Sequence, residues 1–232
     1  MSRSARPAAS RRTVIGTLLL GAGLLAGGDA MSYEEPGYSI VYQANGVEYR
    51  QYAPYLVAET VVQDAQDFDS AATEGFRRLF KYITGGNSSQ GKIAMTVPVS
   101  QAAQSEKIAM TVPVQQTRSG AGWRIAFTLP KALTPDTAPR PNDSRIRIVA
   151  VPGRLKAVLR YSGRWTEGNY REQREKLTRI IGAAGVTALA EPELARYNAP
   201  FSLPFLRRNE VMIEVDRLPA GAPKAPPAPH AS

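Results

Sequence analysis

The sequence predicts an α+β fold in which a mostly antiparallel barrel or curved sheet carries two helices packed on its outside. Three observations predict it. Short segments that alternate with a period of two, rich in β-branched and aromatic residues, recur along the chain and mark strands. Two longer segments repeat their apolar residues at three- and four-residue spacing and mark helices. The order strand, helix, strand, strand occurs twice, although the two halves show no clear sequence identity.

Taken in order, Tyr38–Tyr42 and Val47–Tyr52 read as strands joined by the turn signal Ala44-Asn45-Gly46. Pro54 interrupts, and Tyr55–Val62 continues as a strand. The first helix has N-cap candidates from Asp67 to Ser70, an apolar stripe of Phe68, Ala72, Phe76, Leu79, Phe80 and Ile83, and Gly85-Gly86 as its stop. The octapeptide Lys-Ile-Ala-Met-Thr-Val-Pro-Val then occurs twice, at Lys92–Val99 and Lys107–Val114. Each copy alternates, with Ile93, Met95, Val97 and Val99 on one side and their counterparts Ile108, Met110, Val112 and Val114 in the second. The polar Ser100–Glu106 link suits an antiparallel hairpin, in which Pro98 and Pro113 each remove one ladder donor. On its residues alone this element is a duplicated structural hairpin.

Trp123–Leu129 is another alternating strand, followed by the proline-rich loop Thr134–Asn142. Arg145–Val151 and Lys156–Tyr161 are strands around Pro152-Gly153. Thr166 caps a second helix carrying Tyr170, Leu177, Ile180 and Ile181, with Gly185 as its stop. Leu194–Tyr197 and Val211–Val215 are the closing strands.

Composition excludes several chemistries. There is no cysteine, so disulfides, thiolate metal sites and Cys nucleophiles are out. The single histidine, His230, lies in the Pro/Ala-rich tail, so the folded body has no imidazole for a metal centre or a Ser-His-Asp triad. No carboxylate pair has a spacing that commits both members to one site, and no catalytic residue is assigned. The net charge of +9 favours anionic partners, but the basic residues are scattered and no phosphate loop or RNA-binding motif occurs, which argues against nucleic acid.

The ends read differently from the body. Residues 1–30 combine a basic start, an apolar run Val14–Ala26 and the small-residue site Gly28-Asp29-Ala30, the pattern of a secretory signal peptide. The run is shorter than the ~20 apolar residues that cross a bilayer, so no stable membrane span is expected after cleavage. Ser10-Arg11-Arg12-Thr13-Val14-Ile15 resembles a twin-arginine signal, and adjacent arginines also occur in ordinary signals. A periplasmic or otherwise exported domain over residues 31–216 is therefore expected. The segment 217–232, with five prolines, is expected to be a disordered tail.

Three ordered motifs carry a resemblance. Lys81-Tyr82-Ile83-Thr84-Gly85-Gly86-Asn87, Met95-Thr96-Val97-Pro98-Val99, and Tyr197-Asn198-Ala199-Pro200 followed by Arg207-Arg208-Asn209-Glu210-Val211 resemble the signatures of the SOUL heme-binding protein family. The likeness covers roughly Tyr33–Val215. It implies a distorted antiparallel β-barrel built from two pseudo-repeated strand–helix–strand–strand units and flanked by two helices. It also implies reversible, non-covalent binding of heme or another tetrapyrrole in an apolar cleft between the first helix and the loop before the last strand. Placed on this sequence, the helix wall is Phe76, Leu79, Phe80 and Lys81, and the loop wall is Phe201, Ser202, Leu203 and Phe205.

That placement makes chemical sense. A tetrapyrrole is an apolar plate with two carboxylates at one edge, and it wants aromatic walls and basic residues at the mouth. Phe76 and Phe80 are one helical turn apart, with Lys81 and Arg77 beside them, and Arg207 and Arg208 are further propionate candidates. The same residues also fit plainer roles: the two rings as core stripe, Arg208-Asn209-Glu210 as the anchor of the closing strand, Met95 and Met110 as packing rather than iron donors. The chain departs from the family where some relatives carry basic residues, with Thr73 on the helix and Ser202 in the loop. The body also lacks the histidine ligand that some relatives use. The resemblance thus implies a non-catalytic carrier or buffer without histidine ligation. The alternative is a module for another hydrophobic small molecule, similar in fold to bacterial effector-binding domains. Protein partners are not indicated.

Overall fold

The computed structural model describes residues 33–63, 65, 67–90 and 105–222. Along them run β1 (Tyr38–Ala44), β2 (Val47–Tyr52), β3 (Tyr55–Val62), α1 (Phe68–Ile83), β4 (Asn87–Ser88), β5 (Val114–Ser119), β6 (Gly122–Thr128), β7 (Arg140–Pro141), β8 (Ile146–Val151), β9 (Leu155–Tyr161), α2 (Glu167–Ala183), β10 (Glu193–Arg196), a 3-10 turn at Pro204–Leu206, and β11 (Asn209–Glu214). Nine strands form one sheet in the order β1-β2-β9-β11-β10-β5-β6-β3-β8, every pair antiparallel, and β4 and β7 pair separately.

A bent ribbon curls this sheet into a distorted barrel. β2 pairs with β9 up to Gln51↔Leu155, and β3 pairs with β8 from Tyr55↔Val151. Across the break both chains advance by the same number of residues, so the two ladders are one ladder in one register, bent at Ala53-Pro54 and Pro152-Gly153. Pro54 has no N–H to pair. The Tyr52 amide donates to Arg154 O at 2.9 Å and holds the corner. A Cβ on Gly153 would stand 2.9 Å from Tyr52 O, so the corner requires glycine there.

The two halves expected from the sequence are present. One is β3-α1-β5-β6, ordered β5-β6-β3 in the sheet; the other is β9-α2-β10-β11, ordered β10-β11-β9. They meet at the antiparallel β5·β10 pair and again at the bent ribbon. Among the described residues, the strand of this half that follows α1 in the large sheet is Val114–Ser119, which begins at the last residue of the second octapeptide. The first copy lies outside the described residues. The second makes no ladder before Val114 among the described residues: Ile108 N–H donates to Ile83 O at 2.8 Å, Val112 N–H donates to Glu34 O at 3.0 Å, and Thr111 bridges Glu34. Two-residue alternation is a property of any half-buried extended segment, and among the described residues the partners are the end of α1 and Glu34. Met110 packs against the core, as expected of it, and Met95 is not among the described residues.

Strand alternation gives the sheet two unlike faces. The face toward the helices holds Val47, Tyr49, Ala58, Ile125, Leu159, Leu194, Val211 and Ile213, packed with Phe68, Leu79 and Tyr82 of α1 and Leu177 and Ile181 of α2. The other face, inside the curl, buries Arg50, Glu59, Lys156, Glu193 and Glu210. These charges are paired, Arg50 with Glu210 at 2.8 Å and Lys156 with Glu193 at 3.1 Å, as burial demands.

α1 is fixed at both ends and along its inner face. Asp67 and Ser70 form a capping box, Asp67 Oδ1 accepting from Ser70 N at 2.7 Å and Ser70 Oγ from Asp67 N at 3.1 Å. Past the C-terminus, the buried Asn87 amide donates to Tyr82 O at 2.7 Å and Glu106 O at 2.8 Å, and its carbonyl accepts from Glu106 N at 2.9 Å. The Tyr82–Asn87 motif is thus a helix-end clasp. In α2, Thr166 caps by accepting from Asn169 N at 3.3 Å.

A cleft between the first helix and the loop after β10

α1 leaves one flank uncovered, and a cleft of about 450 Å³ runs along it. The helix wall is Thr73 and Phe76; the floor is Val114 and Ile125; Trp165 and Arg196 stand opposite, with Pro200 of the following loop at the rim. Phe76 and Phe80 stack with centroids 5.7 Å apart and planes 12° from parallel, and Phe76 meets Phe127 edge-on at 5.3 Å. The spacing of four places the two rings on one stripe, and Phe127 stops Phe76 from turning inward. The result is a flat apolar wall whose outer end, Phe80, is 44% exposed.

The facing wall is cationic and aromatic. Trp165 Nε1 donates to Asn209 Oδ1 at 2.6 Å, which fixes the indole. Arg196 and Arg207 both reach its ring, at 5.3 Å and 4.2 Å from the centroid. Arg196 Nη2 donates to Gln116 Oε1 at 3.0 Å, while its Nε is buried with no hydrogen-bond partner among the described residues. Burial, with the nearby charge of Arg207, pushes the Arg196 pKa down to about 10 against the opposing influence of Asp69 and Tyr161. Arg196 therefore still carries its charge at neutral pH, in a place where an anion would be welcome.

A family model, SOUL heme-binding protein, matches residues 33–214. The chain belongs to the SOUL heme-binding protein family. Among relatives, mouse (Mus musculus) heme-binding protein 2 is 28% identical over 198 residues, 82% of this chain and 90% of the mouse protein. Human (Homo sapiens) heme-binding protein 2 is 37% identical over 75 residues, 31% of this chain and 36% of the human one. The crystal structure of the EcmrR C-terminal domain shares the fold, with a TM-score of 0.53 at 10% identity over 77% of this chain and all of that domain.

The residues that the SOUL resemblance points to are only partly brought together. Phe76 lines the cleft and Phe80 extends its wall. Leu79 is fully buried on the core side of α1, so it backs the wall and does not face the cleft. Arg77 is on the outer flank, held by Glu74 through hydrogen bonds of 2.8 and 3.0 Å, and Lys81 stands about 100° further round the helix from Phe80, exposed. Phe201, Leu203 and Phe205 are 91, 55 and 70% exposed; they form an apolar lip outside the cleft lining. Arg207 is a staple of that lip: Nε donates to Ser202 O at 2.9 Å and Nη2 to Pro200 O at 2.7 Å. Arg208 anchors the last strand, bonding Glu210 at 3.0 Å and Glu35 at 2.8 Å. Trp165 and Arg196 escaped the sequence reading. Arg196 did leave a signal, because it shares strand parity with the core residue Leu194. A charge at a core-facing position marks either a buried pair or a site.

Proposed function

We propose that the protein is an exported carrier or buffer that binds heme or a related tetrapyrrole reversibly in this cleft, without covalent attachment or histidine ligation. The observation that carries the reading is the stacked Phe76–Phe80 wall facing Trp165 and Arg196 across the cleft. Membership of the SOUL family and the likeness to heme-binding protein 2 support it. The residues present suit such a plate. Phe76 and Phe80 cover one face, the exposed Phe201, Leu203 and Phe205 lip adds apolar surface outside the cleft, and Arg196 on the cleft wall offers its positive charge to a propionate. Lys81 and Arg77 lie further out, where a carboxylate at the mouth meets them. No His, Cys, Met or Tyr lines the cleft among the described residues, so affinity rests on burial of the plate and on carboxylate pairing. Such a site treats iron-loaded and metal-free porphyrin alike. Export rests on the signal-like residues 1–30.

Titration with hemin and with protoporphyrin IX tests this. Both should give a saturable Soret change and quench tryptophan fluorescence at micromolar ligand, because Trp165 lines the cleft. Phe80→Ala and Arg196→Gln should each weaken both ligands by about tenfold or more. Absence of saturation with either porphyrin, or full affinity in Phe80→Ala, would overturn the reading. Fractionation of the native host checks export separately.

A further inference from the structure

The inner face of the curled sheet holds a second cavity, of about 420 Å³, which shares no lining residue with the cleft. Its walls include Thr117 of β5, Arg124 of β6, Val149 of β8, Lys156 of β9 and Glu193 of β10, with Arg154 at the bend of the ribbon. The charge here is unevenly matched. Arg124 pairs with Glu59 at 3.1 Å and Glu193 at 3.0 Å, Arg147 with Glu59 at 2.8 Å, and Lys156 with Glu193 at 3.1 Å. Three cations thus share two carboxylates. Arg154 pairs with Glu214 through Nη1 only.

Two residues that line this cavity each carry a polar atom that is left over. Thr117 Oγ1 and Arg154 Nε are buried with no hydrogen-bond partner among the described residues, and Thr117 as a whole is 8% exposed. A native structure rarely leaves a buried donor unanswered, and each one asks for an explanation. The Tyr55 hydroxyl, which accepts weakly from Gln115 Nε2 at 3.4 Å, keeps its own hydrogen to donate. Of the wall carboxylates, Glu193 and Glu214 are engaged by arginine or lysine; with the exposed Glu191 they make three against the four cations Arg118, Arg124, Arg154 and Lys156. What the cavity lacks is therefore an acceptor that carries negative charge, and its volume is that of a small-ligand site. We propose that this cavity binds a small organic acid, whose carboxylate oxygens accept from Arg154 Nε and the Thr117 hydroxyl and answer the unmatched positive charge beside Lys156. The site is on the opposite face of the sheet from the tetrapyrrole cleft and stands or falls without it.

Titration calorimetry of the purified protein with citrate, succinate and inorganic phosphate tests this. Citrate or succinate should bind saturably. Arg154→Gln should weaken that binding by at least about tenfold, the loss of a charge-assisted hydrogen bond, and Thr117→Val should weaken it by several-fold. Hemin titrations of both variants should match the parent, which separates this site from the cleft. No saturable heat with either acid, binding of phosphate alone, or unchanged acid affinity in Arg154→Gln would overturn the proposal. If Arg154→Gln loses hemin binding as well, its fold is damaged and Thr117→Val decides: unchanged acid affinity in that variant refutes the site.

Discussion

Glu210 is the residue whose replacement tests the interior of this barrel most directly. Its side chain is fully buried and accepts four hydrogen bonds: from Arg50 Nη1 at 2.8 Å, Arg50 Nη2 at 3.0 Å, Arg208 Nε at 3.0 Å and the Tyr197 hydroxyl at 2.7 Å. Glu210→Gln keeps the shape, removes the charge and turns one acceptor into a donor that points at an arginine. Arg50, 2% exposed, is left with Glu48 as its one carboxylate among the described residues. Removing one partner of a buried pair costs about 3–5 kcal/mol, and the retained amide oxygen places Gln near the lower figure. Urea unfolding should show a loss of about 3 kcal/mol with unchanged m. Arg50→Met combined with Glu210→Leu should cost less than the sum of the two single changes, because neither Arg50 nor Glu210 is left without the other and Arg208 keeps Glu35. The pH profile adds a sign. Burial pushes the Glu210 carboxyl up, but the hydrogen bonds and charge of Arg50, with Arg208 and Tyr197, outweigh it and hold the group below the ordinary value of 4.5. The ionised form is the one the fold favours, so its contribution is complete above pH 4.5 and fades as pH falls through the lowered value. The gap between parent and Glu210→Gln should be flat near neutrality and close in acid. A loss below about 1 kcal/mol, or additive costs in the double variant, would refute the idea that this network is a coupled unit.

Three further outcomes follow from the packing. Gly75→Ala would place a Cβ 2.6 Å from Ile125 Cγ1 and 2.7 Å from its Cβ, so overpacking of about 1–3 kcal/mol should exceed the ~1 kcal/mol helix gain and lower Tm; a higher Tm would refute the close approach of α1 to β6. Asn87→Ala removes all three bonds of the helix-end clasp and should cost about 2–4 kcal/mol in urea unfolding, with faster hydrogen exchange at the Glu106 amide. Burial, helped by the charge of Glu106, pushes Tyr82 up to about 12, and its hydroxyl donates to Pro139 O at 2.8 Å. The neutral phenol is the form the fold favours, so that contribution holds below pH 10 and is lost as pH rises towards 12. Ultraviolet titration should show late tyrosinate formation coincident with unfolding, and in Tyr82→Phe the late component should shrink.

The sequence pattern located most of this fold wherever one face of an element is apolar. Val47–Tyr52 and Tyr55–Val62 have the bounds expected of them, and the Asp67/Ser70 cap begins the helix where the apolar stripe begins. β5 was missed because its buried positions Gln115, Gln116 and Thr117 are polar, which the alternation rule reads as solvent. Gln116 faces the helices and bonds Phe68 O at 2.9 Å; Gln115 and Thr117 face the charged interior. The octapeptide's apolar alternation is real, and in its second copy the backbone partners among the described residues are Ile83 and Glu34, while the first copy of the expected hairpin lies outside the described residues. Phe76 and Phe80 were legible because a helix makes i and i+4 neighbours. Trp165 and Arg196 were not, since a turn before α2 and a strand after it meet only through the tertiary fold.

Strand β10 explains why one sheet can offer two unlike cavities. It is four residues long and sits where the two halves join, between β5 and β11. Glu193 and Ala195 point into the charged interior, Leu194 and Arg196 toward the helices. Glu193 binds Arg124 and Lys156 in the interior cavity, and Arg196 stands on the wall of the cleft. A slip of one residue in its pairing would put Glu193 into the apolar core and Leu194 among the ions, so the register is fixed from both faces at once. The same constraint fixes Arg196. A guanidinium held by Gln116 and Trp165, on a strand that cannot slide, is presented to the cleft already oriented, so under the proposed function a carboxylate meeting it needs little further ordering of the protein.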